Sequence, residues 1–187
     1  MRPPRAPKII LCLLFFTGLA GAETPCEKAA AAWRSVNSYR CTYRAVTEHE
    51  GKVKVSMMVY SFQKPGKVRM DIAKPRKGAV LIYNPEVSEK VKVRPFPGVK
   101  SFALSYALTD KKVSSGSGGT IDRSDLGHKI ETVCAEPQAP GRRVTFDKSG
   151  FLNRVEELDS NGRTLESFEW KDLEINPELP EKTFTDF

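Results

Sequence analysis

The chain has 187 residues, of which 40% are hydrophobic and 28% charged, and it carries a formal net charge of +7. The basic residues are spread along alternating positions and form no cluster, which argues against a nucleic-acid-binding groove. The two histidines, His49 and His128, have no ligand-like neighbours, and no Cys-x-x-Cys spacing occurs. The sequence therefore gives no indication of a metal site or a cofactor.

Residues 1–22 are predicted to be a secretory signal peptide, because a positively charged start precedes a short apolar run and the small residues Ala20-Gly21-Ala22. The apolar run is too short to span a bilayer, so a retained membrane anchor is the less favoured alternative. Cleavage near Ala22 would leave residues 23–187, the size of one domain. It would also remove three basic residues, so the net charge would fall from +7 to +4. We therefore expect an exported protein.

Three cysteines follow the predicted cleavage site: Cys26, Cys41 and Cys134. An oxidising compartment permits one disulfide and leaves one thiol unpaired. The sequence does not choose the pair. A Cys41–Cys134 bond would join the first strand to the later part of the sheet, whereas a Cys26–Cys41 bond would join the first helix to that strand.

A helix followed by five strands is predicted for the first half of the mature chain. Thr24 and Glu27 form a capping box that begins the helix, and Pro25 lies in its first turn. The strands are expected over residues 39–46, 52–63, 67–72, 79–83 and 87–94. The connections are too short for parallel neighbours, so the pattern indicates an antiparallel meander.

Apolar and charged side chains alternate in residues 62–95. The apolar members are Val68, Met70, Ile72, Val91 and Val93, and the charged ones are Arg69, Asp71, Lys90, Lys92 and Arg94. Successive strand side chains point to opposite faces, so the pattern predicts one apolar and one polar face. In the strand predicted over residues 52–63, the side that carries Met57 is apolar. Toward the end of that strand, the side that carries Met58 is apolar as well.

From residue 99 the spacing of the apolar residues changes from two to three or four, which predicts a short amphipathic helix over residues 99–108. The residues that recur there at three- and four-residue spacing are Phe102, Ala103, Tyr106 and Ala107. Residues 114–120 are predicted to be a flexible loop, since they lack the preceding strand and the lysine-threonine ending of a nucleotide-binding loop. Residues 121–134 show no clear pattern. Closing strands are expected over 142–147, 151–158, 163–170 and 172–175.

Four polar residues near the middle of the chain could form an acid–base cluster: Asp122, Ser124, Asp125 and His128. We interpret them as a turn, because polar residues that flank a glycine favour turns. The chain also has no nucleophile elbow. The sequence therefore does not indicate an enzyme.

Together the elements predict an α+β fold with about 9–11 antiparallel strands and two or three helices. A sheet of this width must curl, and its helices are too few to fill the concave apolar face. The remaining hollow would accept a lipid-like guest. The side chains expected to line it are Val55, Met57, Val59, Met70, Ile72, Leu81, Tyr83, Val91, Val93, Phe102, Tyr106, Phe168 and Trp170.

Two blocks of the sequence, residues 65–93 and 144–184, resemble periplasmic lipoprotein carriers of the LolA type. The first block matches the family's pattern of proline turns, an arginine, lysine-proline and tyrosine-x-proline. The second block has the family's asparagine-glycine hairpin, Ile-Asn-Pro and late phenylalanine. Residues 96–140 match poorly.

This resemblance implies an unclosed antiparallel β-barrel, lidded by helices, whose apolar cavity shields acyl chains between membranes. It implies a monomeric periplasmic protein that binds an acylated lipoprotein or lipid, with an inner-membrane releasing transporter and an outer-membrane acceptor as partners. Arg69 matches the arginine that ties the lid to the sheet in such carriers, and Met70 stands where they have an aromatic residue. The alternative is a module of the same fold that senses lipids or lipoproteins and signals to an envelope partner.

Overall fold

The structure is a computed structural model that describes residues 22–49, 51–98, 102–114 and 119–187. The predicted signal peptide, apart from Ala22, lies outside the described residues. Within these ranges, no helix combines the length and the apolar character needed to cross a membrane.

Two α-helices and nine strands make up the described part of the chain. In chain order they are α1 (Pro25–Arg34), β1 (Ser38–His49), β2 (Lys52–Gln63), β3 (Lys67–Lys74), β4 (Val80–Tyr83), β5 (Lys90–Arg94), β6 (Leu104–Ala107), α2 (Leu126–Ala135), β7 (Arg142–Phe146), β8 (Leu152–Leu158) and β9 (Thr164–Ile175). Short 3₁₀ turns precede α2 at Ile121–Arg123 and follow β9 at Glu181–Phe184.

All nine strands form one antiparallel sheet in the order β6-β5-β4-β3-β2-β1-β9-β8-β7. The two edge strands, β6 and β7, do not pair with each other, so the sheet is not closed. This architecture confirms the predicted α+β class, an unclosed antiparallel sheet accompanied by helices. The chain returns through β9 to the first strand, which brings the two halves of the sequence together.

The helix predicted over residues 99–108 is wrong. Its described part contains β6, whose residues pair with β5. Half-buried Leu104 and Tyr106 alternate with exposed Ser105 and Ala107, which is the period of a strand. In so short a segment the apolar residues fit the spacing of a helix as well as that of a strand. The segment forms a strand because its backbone pairs with the edge of β5.

The last two predicted strands form a single strand, β9. Asp172 adopts a φ of 53°, and the pairing with β1 shifts register between Arg40 and Thr42. An extra residue at this point changes which side chains face the helices. Trp170 and Ile175 therefore pair with Tyr43 and Tyr39, which lie on the same side of β1, although one has an even number and the other an odd one. That change of parity made the segment read as two strands.

We call the sheet face that packs against the helices the inner face. The Trp33 ring of α1 lies 6.1 Å from the Tyr39 ring and 5.7 Å from the Phe62 ring, measured between centroids. The backbone N–H of Leu126 at the start of α2 donates to the Tyr39 hydroxyl at 3.0 Å, and the Tyr60 hydroxyl lies 2.8 Å from the Ser124 hydroxyl. These aromatic residues fill one end of the inner face.

Each helix begins at a capped N-terminus. The predicted capping box of α1 is present, with reciprocal hydrogen bonds between Thr24 and Glu27. The buried carboxylate of Asp125 caps α2 by accepting from the backbone N–H groups of Gly127 and His128, and it also contacts the His128 ring. The polar residues that sequence reasoning considered as an acid–base cluster thus include the cap of a helix.

A disulfide joins Cys26, in the first turn of α1, to Cys134, in the last turn of α2. The buried Cys41 is unpaired. The bond differs from both pairs considered from the sequence, because residues 121–134 gave no sign of a second helix beside the first.

The opposite, outer face carries charged side chains and the C-terminal segment. Glu169 is 6% exposed and contacts Arg44, Arg154 and Lys171 at 3.0 to 3.4 Å. At the other end of the face, Lys67 contacts carboxylates of the β4–β5 connection and of the C-terminal 3₁₀ turn. The two faces therefore differ in chemistry, as the alternation in residues 62–95 predicted.

Candidate functional site

The inner face has a covered end and a partly open end. At the covered end, beneath the helices, Tyr39, Val68 and Val91 are at most 1% exposed. At the other end the apolar side chains are only half-buried. They are Tyr43, Met58, Met70, Ile72, Leu81, Val93, Leu104 and Phe168. We call these eight residues the open apolar face.

The strand register makes the open apolar face continuous. Tyr43 pairs with Met58, and Met58 with Ile72. A second row runs across five strands in the order Tyr60, Met70, Leu81, Val93 and Leu104. Directly paired residues of antiparallel strands lie on the same face with their Cβ atoms about 4.5–5.5 Å apart. The two rows therefore form one apolar surface that crosses β1 to β6.

Nine of the thirteen residues predicted to line the hollow lie on the inner face: Met70, Ile72, Leu81, Tyr83, Val91, Val93, Tyr106, Phe168 and Trp170. Tyr83, Val91 and Trp170 are buried in the core; Tyr83 and Val91 lie at the covered end, whereas Trp170 pairs with Tyr43 of the open apolar face. The others are half-buried.

Val55, Met57 and Val59 lie on the outer face. The ladder pairs Met57 with Arg44 and Val59 with Thr42, and both partners point away from the helices. The structure therefore does not bring these three side chains together with the other predicted residues. Both sides of β2 are apolar near its middle, so the alternation within this strand could not identify the inner side.

Phe102 lies just outside β6, 45% exposed, with its ring 6.5 Å from that of Phe96. It belongs to the end of the sheet and not to the open apolar face.

Arg69 also lies on the outer face. Its guanidinium binds the Asp71 carboxylate through two nitrogens, at 2.7 and 2.9 Å, and donates to the backbone carbonyls of Thr183 and Asp186. None of its described contacts is with α1 or α2. In this structure Arg69 therefore ties the C-terminal segment to the sheet, and the helix-latching role that the resemblance implied is not seen.

Sequence reasoning missed Tyr43, Met58 and Leu104 as members of the open apolar face. Tyr43 was recognisable from the alternation in β1, where it shares a side with Tyr39. Leu104 was hidden by the helix predicted for its segment.

Lys129 of α2 contacts the open apolar face through a cation–π interaction with Phe168. Its ammonium lies 4.7 Å from the centroid of the Phe168 ring. Desolvation lowers the pKa of Lys129 below its ordinary value, and nearby Glu157 opposes that shift. Nothing in residues 121–134 distinguished this lysine in the sequence.

A groove of about 490 Å³ lies on the outer face, against the C-terminal segment. Its walls include Arg40, Val59, Ser61, Arg69 and Lys182. Arg69, which lines the groove, is already paired with Asp71 and donates to the tail, so the groove lies where the tail is tied to the sheet. In the described ranges no group of three or more histidine, cysteine or acidic side chains could hold a metal ion.

Comparison of the sequence with protein-family models and with curated proteins finds no match. Among solved structures, an uncharacterized conserved protein from Thermus thermophilus is 10% identical, with a TM-score of 0.50 over 87% of this chain and 91% of that one. A LolA superfamily protein from Nitrosomonas europaea is 11% identical, with a TM-score of 0.47 over 87% and 96%. An outer membrane lipoprotein-sorting protein domain from Vibrio parahaemolyticus, described as putative, is 11% identical, with a TM-score of 0.41 over 85% and 97%.

At these identities the likeness concerns the fold alone. The solved structures that share this likeness include a protein of the LolA superfamily.

Proposed function

We propose that this protein is a periplasmic carrier that binds the acyl chains of lipoproteins or lipids on its inner face and moves them toward the outer membrane. The observation that supports this function is the open apolar face, a continuous surface of half-buried apolar side chains on the inner face of the sheet. An inner-membrane transporter would load the carrier, and an outer-membrane acceptor would unload it.

Acyl chains fit this surface because they need no polar partner. Each buried methylene contributes about 0.8 kcal/mol, so a chain that lies along several strands binds firmly through burial alone. Met58 and Met70 lie at the centre of the face. Methionine is unbranched and flexible, so these side chains can cover one another when the face is empty and rearrange around a guest.

The two helices are suited to act as one movable cover. The disulfide between Cys26 and Cys134 holds them together, and Trp33 packs against Gly127 at their crossing. Their contacts with the sheet include those at Tyr39, and the Tyr60 hydroxyl contacts Ser124 just before α2. A small tilt of the pair about these residues would widen the open apolar face without unfolding either helix.

The proposal can be tested by native mass spectrometry of protein purified from the cell envelope. Any bound lipid is then extracted and identified. We expect a fraction of the protein to carry an added mass that matches an acylated lipid or lipopeptide. A protein that is empty after purification and that also fails to take up fatty acids or lipopeptides would contradict the function.

A further inference from the structure

Two phenylalanines are exposed side by side at one end of the sheet. Phe96 is 61% exposed and Phe102 is 45% exposed, and their ring centroids lie 6.5 Å apart. Phe96 follows the end of β5, and Phe102 precedes β6. Single exposed apolar residues are common on protein surfaces, but an adjacent pair of large aromatic rings indicates a contact surface.

Basic residues lie beside this pair. The turn between β3 and β4 carries three exposed cations: Lys74, Arg76 and Lys77. That turn packs against the Phe96 connection, since a Cβ placed on Gly78 would lie only 2.8 Å from the Cβ of Pro97. Residues 74–78 and 94–98 contain no acidic side chain. Positive charge therefore lies on the turn that packs against the connection carrying Phe96.

The same end of the sheet gives access to the open apolar face. Leu104, two residues after Phe102, pairs with Val93 on the inner face. Ile72, two residues before Lys74, lies on that face as well. The aromatic pair thus stands where an acyl chain would leave the inner face.

We propose that Phe96, Phe102 and the cations of the β3–β4 turn form a docking surface for an anionic lipid bilayer. Aromatic rings insert at the level of the lipid headgroups, and lysine and arginine beside them are attracted to anionic lipids. Contact at this end would place the open apolar face against the bilayer, so that a chain could pass from one to the other. This last step rests on the proposed function, whereas docking itself does not.

Vesicle flotation tests the docking surface with the mature protein. We expect it to float with vesicles rich in phosphatidylglycerol, to float less with pure phosphatidylcholine, and to lose binding in high salt because the charge attraction is screened. The double variant F96S/F102S should bind the anionic vesicles about tenfold or more weakly. A variant with Lys74, Arg76 and Lys77 changed to Gln should lose the preference for anionic lipid.

The matched control is the double variant V53S/V87S. These valines are 61% and 57% exposed, and they lie in other parts of the sheet surface. Their replacement should leave vesicle binding unchanged. Equal vesicle binding by F96S/F102S and the unaltered protein would overturn the docking surface. It would also be overturned if sedimentation showed a dimer that F96S/F102S abolishes while vesicle binding stays the same.

Uptake of a fluorescent fatty acid, measured without vesicles on the same variants, separates this proposal from the proposed function. Unchanged uptake by F96S/F102S with lost flotation supports the docking surface. Absent uptake in every variant would contradict the carrier function, while a loss of flotation in F96S/F102S but not in V53S/V87S would still support docking.

Discussion

The indole ring of Trp33 in α1 occupies the space where a side chain at position 127 of α2 would lie. A Cβ placed on Gly127 would be 2.2 Å from Cε2 of Trp33, far inside van der Waals contact. The two helices approach closely because α2 has only a hydrogen at this point. The aromatic residues beneath them, Tyr39 and Phe62, are packed by the same indole.

We expect Gly127→Ala to lower the free energy of unfolding by about 1–3 kcal/mol, the usual cost of overpacking, although alanine favours a helix more than glycine does. Urea denaturation measures the change. Gly66→Ala is the matched control, since the nearest atom to its added Cβ is 3.9 Å away. The steric explanation would be wrong if Gly127→Ala cost as much in a Trp33→Leu background as in the unaltered chain.

The disulfide should contribute to stability through the long segment that it closes. Cys26 and Cys134 are 108 residues apart, and loss of a native disulfide in a domain of this kind costs about 2–5 kcal/mol. We expect the C26S/C134S variant to unfold at a correspondingly lower urea concentration. Reduction of the unaltered protein should reproduce the effect. A change below about 1 kcal/mol would mean that the helices are held by packing alone.

The Cys41 thiol should be inert in the folded protein. Burial raises its pKa from 9.0 to about 12, with a smaller contribution from Asp172. The thiolate is the form that attacks a thiol reagent, so at pH 8 the folded chain from residue 23 onward should show no reactive thiol. After denaturation it should show one. Rapid modification of the folded protein would contradict the burial of this side chain.

Alkaline pH should destabilise the protein. The unfolded chain loses the Cys41 proton near pH 9, whereas the folded chain holds it to about pH 12. Burial also raises the pKa of Tyr39 and of Tyr60. The stability from these protonated groups is complete below pH 9 and is lost as the pH rises through the folded values. Urea unfolding at pH 8 and pH 11 should show the decrease, and Cys41→Ala should show a smaller one.

Arg69 should hold the C-terminal segment. We expect Arg69→Met to leave Asp71 without its guanidinium partner and to speed amide hydrogen exchange in residues 181–187. Arg40→Met is the matched control, because the exposed Arg40 lines the same groove. Equal exchange in the two variants would show that the 3₁₀ turn is held by other contacts, such as the buried Phe184.

Alternation predicted the faces of β3 and β5, because a residue such as Asp71 or Lys90 marks the polar side of each strand. The alternation could not assign the faces of β2, because the adjacent Met57 and Met58 are both apolar and both half-buried. Only the pairing of Met58 with Tyr43, a contact distant in sequence, assigns the inner side.

The helix pair was hidden for a similar reason. The first helix has a capping box, so it was recognised from the sequence. The second follows the N-cap Asp125 and packs against Trp33, a contact that the local sequence pattern does not reveal. Without α2 as a neighbour of α1, the pairing of Cys26 with Cys134 could not be foreseen.

The adjacent methionines of β2 provide the most direct test of the central claim, because one lies on each face of the same strand. The measurement is the affinity of the mature protein for a fluorescent fatty acid, compared for Met58→Asn and Met57→Asn, with unfolding free energies measured in parallel. We expect Met58→Asn to weaken binding about tenfold by placing an amide in the apolar face, and Met57→Asn to leave it unchanged. Equal affinities, or a loss confined to Met57→Asn, would contradict binding on the inner face.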